Sequence, residues 1–194
     1  MSQESIQAEN VAHLQQALEE AGVSVQAWGG VQTKNLEELF QELQHGDCIL
    51  QNSEQYGVIR KMNLVVVMLE HQEYLLLEKQ QQNSQTGETR SRKLAGTLIE
   101  KLMADESPES GAARVLAEEM DITGDLNLSS FQEGDHFLES ASYPGLWTHY
   151  HIFYTVCPMP GGLYKKSYQV EYDDWTTTWE WVPKAQQASF FLSL

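Results

Sequence analysis

The feature that most constrains the fold is a short, capped helix predicted within residues 106–122. Ser107 suits the N-cap, Pro108 suits the first helical position, and Glu109 places negative charge where the helix dipole favours it. Residues 120–124 supply a stop signal. The apolar positions recur at helical spacing and predict one buried side, formed by Ala112, Val115, Leu116 and Met120. The other side then presents acidic groups.

Two adjacent glutamates, Glu118 and Glu119, lie near the end of this predicted helix. One interpretation is a solvated acidic face. The other is a magnesium site, because Mg²⁺ prefers hard oxygen ligands and keeps waters that can bridge to phosphate. The residues around the pair favour the second interpretation.

Residues 106–122 resemble the Nudix box. In words, that box is Gly, five residues, Glu, seven residues, Arg-Glu, an aliphatic, any residue, Glu-Glu, any residue, Gly and an aliphatic. Six positions match at the same spacing: Glu106, Arg114, Leu116, Glu118, Glu119 and Ile122. Three differ, since Glu100 replaces the opening Gly, Val115 the Glu after the Arg, and Asp121 the closing Gly. Asp can take a left-handed helix cap, whereas a valine side chain offers no oxygen to a metal.

The resemblance implies the fold class and the domain organisation. We expect an α/β protein, a Nudix-like α/β/α sandwich with a mixed sheet, over residues 51–185. A short helical N-terminal extension over residues 1–50 precedes it, and residues 186–194 form a C-terminal tail. The extension is expected to pack on the domain or to make a homodimer contact.

The resemblance also implies a chemistry. Mg²⁺ or Mn²⁺ would be held by Glu118, Glu119 and Glu106, with Arg114 orienting Glu118 from one helical turn away. The reaction would be hydrolysis of a nucleoside diphosphate linked to another moiety. Because Val115 stands at a metal-ligand position, the alternative is a catalytically inactive module that binds a nucleotide or a partner protein.

Positive charge is concentrated on a short predicted strand that carries Arg90, Arg92 and Lys93. These side chains either protect an edge strand from pairing or bind the phosphates of a substrate, for which the arginine fork is suited. An acidic stretch at residues 171–174 precedes a predicted strand that ends in Trp-Val-Pro, similar to the last core strand of Nudix proteins. The resemblance therefore makes Glu171, Asp173 and Asp174 candidates for a further metal ligand or the general base, beside the interpretation as a solvated turn.

Hydrophobic periodicity predicts the remaining elements. A helix is expected within residues 5–21, and a second one after Asn35, with Glu38 as its capping-box partner. Strands are predicted at residues 23–26, 58–69, 74–78, 89–94, 126–131, 136–140, 146–156 and 176–183, with a loop at 80–88 and a turn at 94–100. His149 and His151 share a face of one strand, and ordinary strand positions are favoured over a zinc site.

Composition excludes several classes of function. The chain carries 12 Lys and Arg against 28 Asp and Glu, a net charge of −16, which disfavours broad nucleic-acid binding and binding to anionic membranes. No apolar run reaches the roughly 18 residues of a spanning helix. Cys48 and Cys157 lack metal-site spacing and are expected to be buried thiols in a reducing compartment. We therefore expect a cytoplasmic protein, and the resemblance implies that its partner is a small diphosphate compound.

Overall fold

The computed structural model describes residues 5–30, 33–90 and 97–186. It combines helices and strands, so the predicted α/β fold class is confirmed. The helices are α1 (Val11–Glu20), α2 (Leu36–His45) and α3 (Pro108–Met120), followed late in the chain by a 3-10 turn at Lys184–Gln186. The strands are β1 (Ser5–Ile6), β2 (Ile49–Ser53), β3 (Gly57–His71), β4 (Tyr74–Asn83), β5 (Thr89–Arg90), β6 (Leu98–Lys101), β7 (Gln132–Glu139), β8 (Trp147–Pro158), β9 (Ser167–Tyr172) and β10 (Trp175–Pro183). None of the helices in these ranges is long and apolar enough to cross a membrane.

The residues group into two compact units. The first unit comprises residues 1–64, 101–106 and 134–152, and the second comprises residues 65–100, 107–133 and 153–194. Each unit draws on several stretches of the chain. The predicted domain boundaries at residues 50 and 185 stay predictions.

In the first unit, two capped helices accompany a short antiparallel ladder. Asn10 caps α1 by accepting a hydrogen bond from the His13 backbone N–H at 2.9 Å, so the helix begins later than the predicted range. The predicted capping box of α2, between Asn35 and Glu38, is confirmed. Strand β2 pairs with β1 on one side and β3 on the other. The apolar faces meet in one core cluster, which includes Leu14, Leu18, Leu39, Leu50, Val58 and Tyr143.

A buried ion network crosses the core of the first unit. The Glu42 side chain in α2 accepts a hydrogen bond from Arg60 Nη1 at 3.0 Å, and Glu42 and Arg60 are only 6% and 5% exposed. Lys34 and Lys101 contact the same carboxylate. Burial alone would raise the pKa of Glu42, but the hydrogen bond from Lys34 and the charges of Lys101 and Arg60 outweigh it and hold this pKa below its ordinary value.

The two cysteines are free thiols, and each is buried. Burial raises the pKa of Cys48 to about 12, and burial also raises the pKa of Cys157. The thiolate is the reactive form of cysteine, so neither side chain has the environment of a nucleophile. Their burial confirms the prediction of two buried thiols.

In the second unit, β4 lies between β10 and the end of β3. Strand β10 pairs antiparallel with β4 along its whole length and with β9 on its other side. Strand β5 pairs with the far end of β4. Ser107 caps α3 by accepting a hydrogen bond from the Ser110 N–H at 3.2 Å, and Asp121 ends it in a left-handed conformation, as the sequence predicts.

Two predicted strands are wrong. Residues 23–25 are irregular and a turn begins at residue 26, because the Val23 N–H bonds to the Leu18 carbonyl and the Val25 carbonyl accepts from the Trp28 N–H. Residues 126–131 stay irregular, because the Ser129 hydroxyl accepts the Val156 N–H at 2.9 Å where a ladder would use a backbone carbonyl.

Three other predicted stretches have different bounds. The loop predicted at residues 80–88 begins only after Asn83, since β10 supplies ladder partners for the glutamines at the end of β4. The turn predicted at residues 94–100 is wrong at its end, where β6 forms; residues 91–96 lie outside the described residues. The strand predicted at residues 136–140 is β7, which starts earlier.

Candidate functional site

The second unit contains a cleft of about 340 Å³. Its lining comes from four strands and from helix α3. Among the described residues, the charged members of the lining are four glutamates and one arginine: Glu78, Arg90, Glu100, Glu118 and Glu119. The described part of the lining therefore carries more negative than positive charge.

Alternate residues of β10 form part of the lining. Trp175, Thr177 and Trp179 share one face because side chains alternate along a strand. Gln81 and Glu78 on β4 stand opposite Thr177 and Trp179. The sheet thus presents two tryptophans and three polar side chains to the cleft.

A β-bulge explains why Glu78 and Gln81 both reach this face. The register between β4 and β10 shifts between Thr178 and Trp179, which leaves Lys79 as an extra residue in β4. Gln81 follows Glu78 by three positions, and on a regular strand that spacing would direct them to opposite faces. The extra residue shifts the alternation of side chains by one position, so the bulge directs both Glu78 and Gln81 into the cleft.

Arg90 is held in this face by two contacts. Its Nε donates to Gln81 Oε1 at 2.9 Å. Its guanidinium carbon lies 3.9 Å from the centre of the Trp175 ring, which is a cation–π contact. The predicted neighbours Arg92 and Lys93 lie outside the described residues.

Helix α3 contributes Glu118, which is exposed, and Glu119, which is half-buried. Arg114 lies one turn earlier, with its Nη1 at 4.0 Å from Glu118 Oε2. The same Nη1 is 3.1 Å from Glu100 Oε1 of β6. The structure therefore adds a partner for Arg114 that the sequence did not predict, and this partner is the nearer one.

Not every predicted site residue lines the cleft. Glu106 belongs to the first unit, where its Oε2 accepts the Met103 N–H at 3.1 Å. Glu171 lies on β9, and Asp173 and Asp174 form the turn before β10. All three are exposed, and the cleft is lined without them.

Val115 occupies the buried side of α3 and is 1% exposed. Its side chain belongs to the hydrophobic core, as the apolar periodicity of the helix predicts. It is not among the residues that line the cleft. The position at which the Nudix box has a Glu is therefore a core position in this chain.

Sequence reasoning missed several cleft residues, among them Glu78, Gln81, Glu100 and Thr177. Glu100 was noted only as a departure from glycine. Gln81 sat in a glutamine-rich stretch interpreted as a loop, and its position depends on a bulge that has no sequence signal. The threonine-rich strand β10 pairs with the glutamine-rich end of β4, and its strand propensity was a signal that these glutamines could have a strand partner.

The donor chemistry of the cleft fits Mg²⁺. Carboxylate oxygens are its preferred protein ligands, and Mg²⁺ is commonly held by one or two carboxylates together with substrate phosphates. Within the described ranges, no group of three His, Cys, Asp or Glu residues is placed to hold a metal. Helix α3 places two carboxylates in the cleft, Glu118 and Glu119, and these are the ligand type that such shared coordination uses.

The histidine pair of β8 lies in the first unit. His149 Nε2 and His151 Nδ1 contact the same oxygen, Asp135 Oδ1, at 2.6 and 3.0 Å. Hydrogen bonds from His151 and His149 lower the pKa of Asp135. Phe137 stacks on His149 with ring centres 4.3 Å apart. The two histidines share a face, as predicted, and their common partner is a surface carboxylate.

No protein-family model matches the chain, and a search of curated proteins found no significant match. Solved structures resemble it at low identity. The protein DR0079 of Deinococcus radiodurans is 12% identical, covering 68% of this chain and 73% of that one, with a TM-score of 0.41. An ADP compounds hydrolase is 15% identical over 75% of this chain and 73% of its own, with a TM-score of 0.37. The E. coli ORF135 protein is 22% identical over 50% and 61%, with a TM-score of 0.34.

Proposed function

We propose that this chain is a Nudix-like, metal-dependent hydrolase of a nucleoside diphosphate linked to another moiety. The observation that carries the proposal is the meeting of Glu118 and Glu119 with Arg90 in one cleft. Adjacent carboxylates at the end of a capped helix supply metal ligands, and an anchored guanidinium supplies a phosphate receptor.

Each group in the cleft has a role in this proposal. Glu118 and Glu119 would hold Mg²⁺ or Mn²⁺, and the metal supplies charge neutralisation and a more acidic bound water. Arg90 binds a phosphate oxygen pair. Arg114 restrains Glu118 and Glu100 by contacting both carboxylates. Glu78, which lines the cleft, would accept the proton of the attacking water, and Glu171, Asp173 and Asp174 stay predicted candidates for the same role.

Several expectations remain part of the proposal. Glu106 stays a predicted third ligand, and Arg92 and Lys93 stay predicted phosphate contacts. The cytoplasmic location, the diphosphate partner and the homodimer contact of residues 1–50 also stay predictions.

A second candidate function is a binding module that holds a metal-bound diphosphate without turnover. The observation that favours it is the burial of Val115, which leaves α3 with two cleft carboxylates. Fewer ligands hold the metal less rigidly, and hydrolysis requires accurate placement of the bound water.

The test compares product formation by the wild type and by Glu119→Gln, using a panel of nucleoside diphosphate compounds with Mg²⁺ or Mn²⁺. We expect wild-type turnover and a loss on the order of 100-fold in the variant, because the amide replaces a charged ligand. Glu109→Gln is the matched control, since Glu109 is an exposed residue in the first turn of α3 and should leave the rate unchanged.

Equal rates in the wild type and in Glu119→Gln would show that the cleft glutamates do not hold a catalytic metal. If the wild type binds a non-hydrolysable diphosphate with metal but forms no product, the binding module is the correct function.

A further inference from the structure

We infer that Gln81 is a positioning residue that fixes Arg90 as an end-on receptor for one phosphate group of the ligand. The inference rests on the proposed function and adds to it a residue that no Nudix-box position supplies. It also states how the phosphate must approach.

Arg90, Gln81 and Thr177 form a row across three adjacent strands. Arg90 on β5 pairs in register with Gln81 on β4, and Gln81 pairs in register with Thr177 on β10. Gln81 Oε1 accepts from Arg90 Nε at 2.9 Å, and Gln81 Nε2 lies 3.3 Å from Thr177 Oγ1. Directly opposed residues on neighbouring strands are close enough for such side-chain bonds. The Arg90 side chain is therefore restrained by bonds to side chains of the paired strands.

The side-chain amide of Gln81 is bonded at both its oxygen and its nitrogen. Besides Thr177, its Nε2 also donates to Glu78 Oε2 at 3.3 Å, which uses both amide hydrogens. Gln81 is 4% exposed, so water does not compete for these bonds. Turning the amide over would place its NH₂ group against Arg90 Nε–H, and its oxygen against the Glu78 carboxylate, so these two partners select the orientation. The acceptor oxygen is thus held toward Arg90.

These contacts determine which atoms of Arg90 remain for a ligand. Nε is engaged by Gln81, and Trp175 covers one face of the guanidinium. Within the described part of the chain, these are the contacts of the guanidinium, and the two Nη groups, which together form the end of the fork, take no part in the hydrogen bond. A phosphate with two oxygens side by side matches that end bidentately, whereas a lysine ammonium could not reproduce the geometry.

The contacts of Arg90 with Gln81 and Trp175 matter because the other charged residues described in the cleft are acidic. Four glutamates line the same cleft, and an unanchored arginine would be free to pair with one of them. Such pairing would withdraw the guanidinium from the ligand. Gln81 and Trp175 hold it by a neutral hydrogen bond and a ring contact, which leaves its charge available for phosphate. Fixing the side chain beforehand also removes the cost of ordering it on binding.

The experiment measures the affinity of methylenediphosphonate, in the presence of Mn²⁺, by isothermal titration calorimetry. Gln81→Met removes the amide at nearly constant length, and we expect it to weaken binding about tenfold. Arg90→Met should weaken it on the order of 100-fold. The double variant should bind no more weakly than Arg90→Met, because Gln81 acts only through Arg90.

Two further variants keep the test interpretable. Thr177→Val keeps the shape of the third row member, removes its hydroxyl and should weaken binding about threefold, even if Gln81→Met folds poorly. Lys79→Met is the control, since Lys79 is the bulge residue and its side chain pairs with Glu180 at an exposed site. It should bind the probe like the wild type.

The outcomes separate this inference from the proposed function. A wild type that does not bind methylenediphosphonate with Mn²⁺ would contradict the proposed function and the inference together. If the wild type binds the probe and both Gln81→Met and Thr177→Val bind it with the wild-type affinity, the inference is overturned and the proposed function is not. Additive losses in the double variant would also overturn it, since they would mean that Gln81 acts independently of Arg90.

Discussion

Replacement of Glu42 by glutamine is expected to lower the free energy of unfolding by about 3–5 kcal/mol. The substitution leaves Arg60, which is 5% exposed, without its carboxylate partner. Breaking one side of a buried ion pair costs more than the pair itself contributes, because the remaining charge stays away from water. Urea denaturation of the two proteins measures the difference.

The control for this prediction is Glu37→Gln on the same helix. Glu37 is exposed and contacts only Gln41 in the described hydrogen bonds, so its replacement should change stability by less than about 0.5 kcal/mol. A loss below about 1 kcal/mol in Glu42→Gln would show that the Glu42 network does not support the first unit.

The same network predicts a pH dependence. The pKa of Glu42 is lower in the folded chain than in the unfolded one. Its contribution to stability is therefore fully present above the unfolded pKa, about 4.3, and is lost as the pH falls through the folded pKa. The stability difference between the wild type and Glu42→Gln should accordingly shrink in acid.

Replacement of Val115 by glutamate is expected to destabilise the chain by roughly 4 kcal/mol, and to create no new turnover. Val115 is 1% exposed on the core side of α3. Burial of a carboxylate at this site would raise its pKa by several units. Each unit lowers the stability of the folded chain at neutral pH by about 1.4 kcal/mol. Urea denaturation and the nucleotide panel measure the two expectations.

Ala113→Glu is the matched variant, because Ala113 is an exposed position on the same helix and should accept a glutamate at little cost. If Val115→Glu proved as stable as Ala113→Glu and increased turnover, its side chain would reach the metal. That result would contradict the assignment of Val115 to the core.

The sequence predicts much of α3 because its signals are local. Ser107, Pro108 and Asp121 act through neighbouring backbone groups, and the apolar stripe needs only the helical period. The capping box of α2 was predictable for the same reason. Such features need no knowledge of distant partners.

The cleft was less predictable because its geometry depends on pairing between distant strands. Gln81 enters the site only through a bulge in β4 and a partner almost 100 positions later, Thr177. Glu100 was interpreted as a turn position, and it lies on a strand beside Arg114. The acidic turn at Asp173 and Asp174 had the right composition for a site, but these residues are not among those that line the cleft. Residue type alone could not separate these cases.

The most direct test of the central claim, that this cleft binds a metal–diphosphate complex through α3, is thermal unfolding with Mg²⁺, with methylenediphosphonate and with both. Ligand linkage raises the melting temperature only of a protein that binds the ligand in its folded form. We predict a clearly larger increase with both ligands than with either alone, and its loss in the Glu118→Gln/Glu119→Gln double variant. No increase in the wild type, or an equal increase in the double variant, would contradict the account.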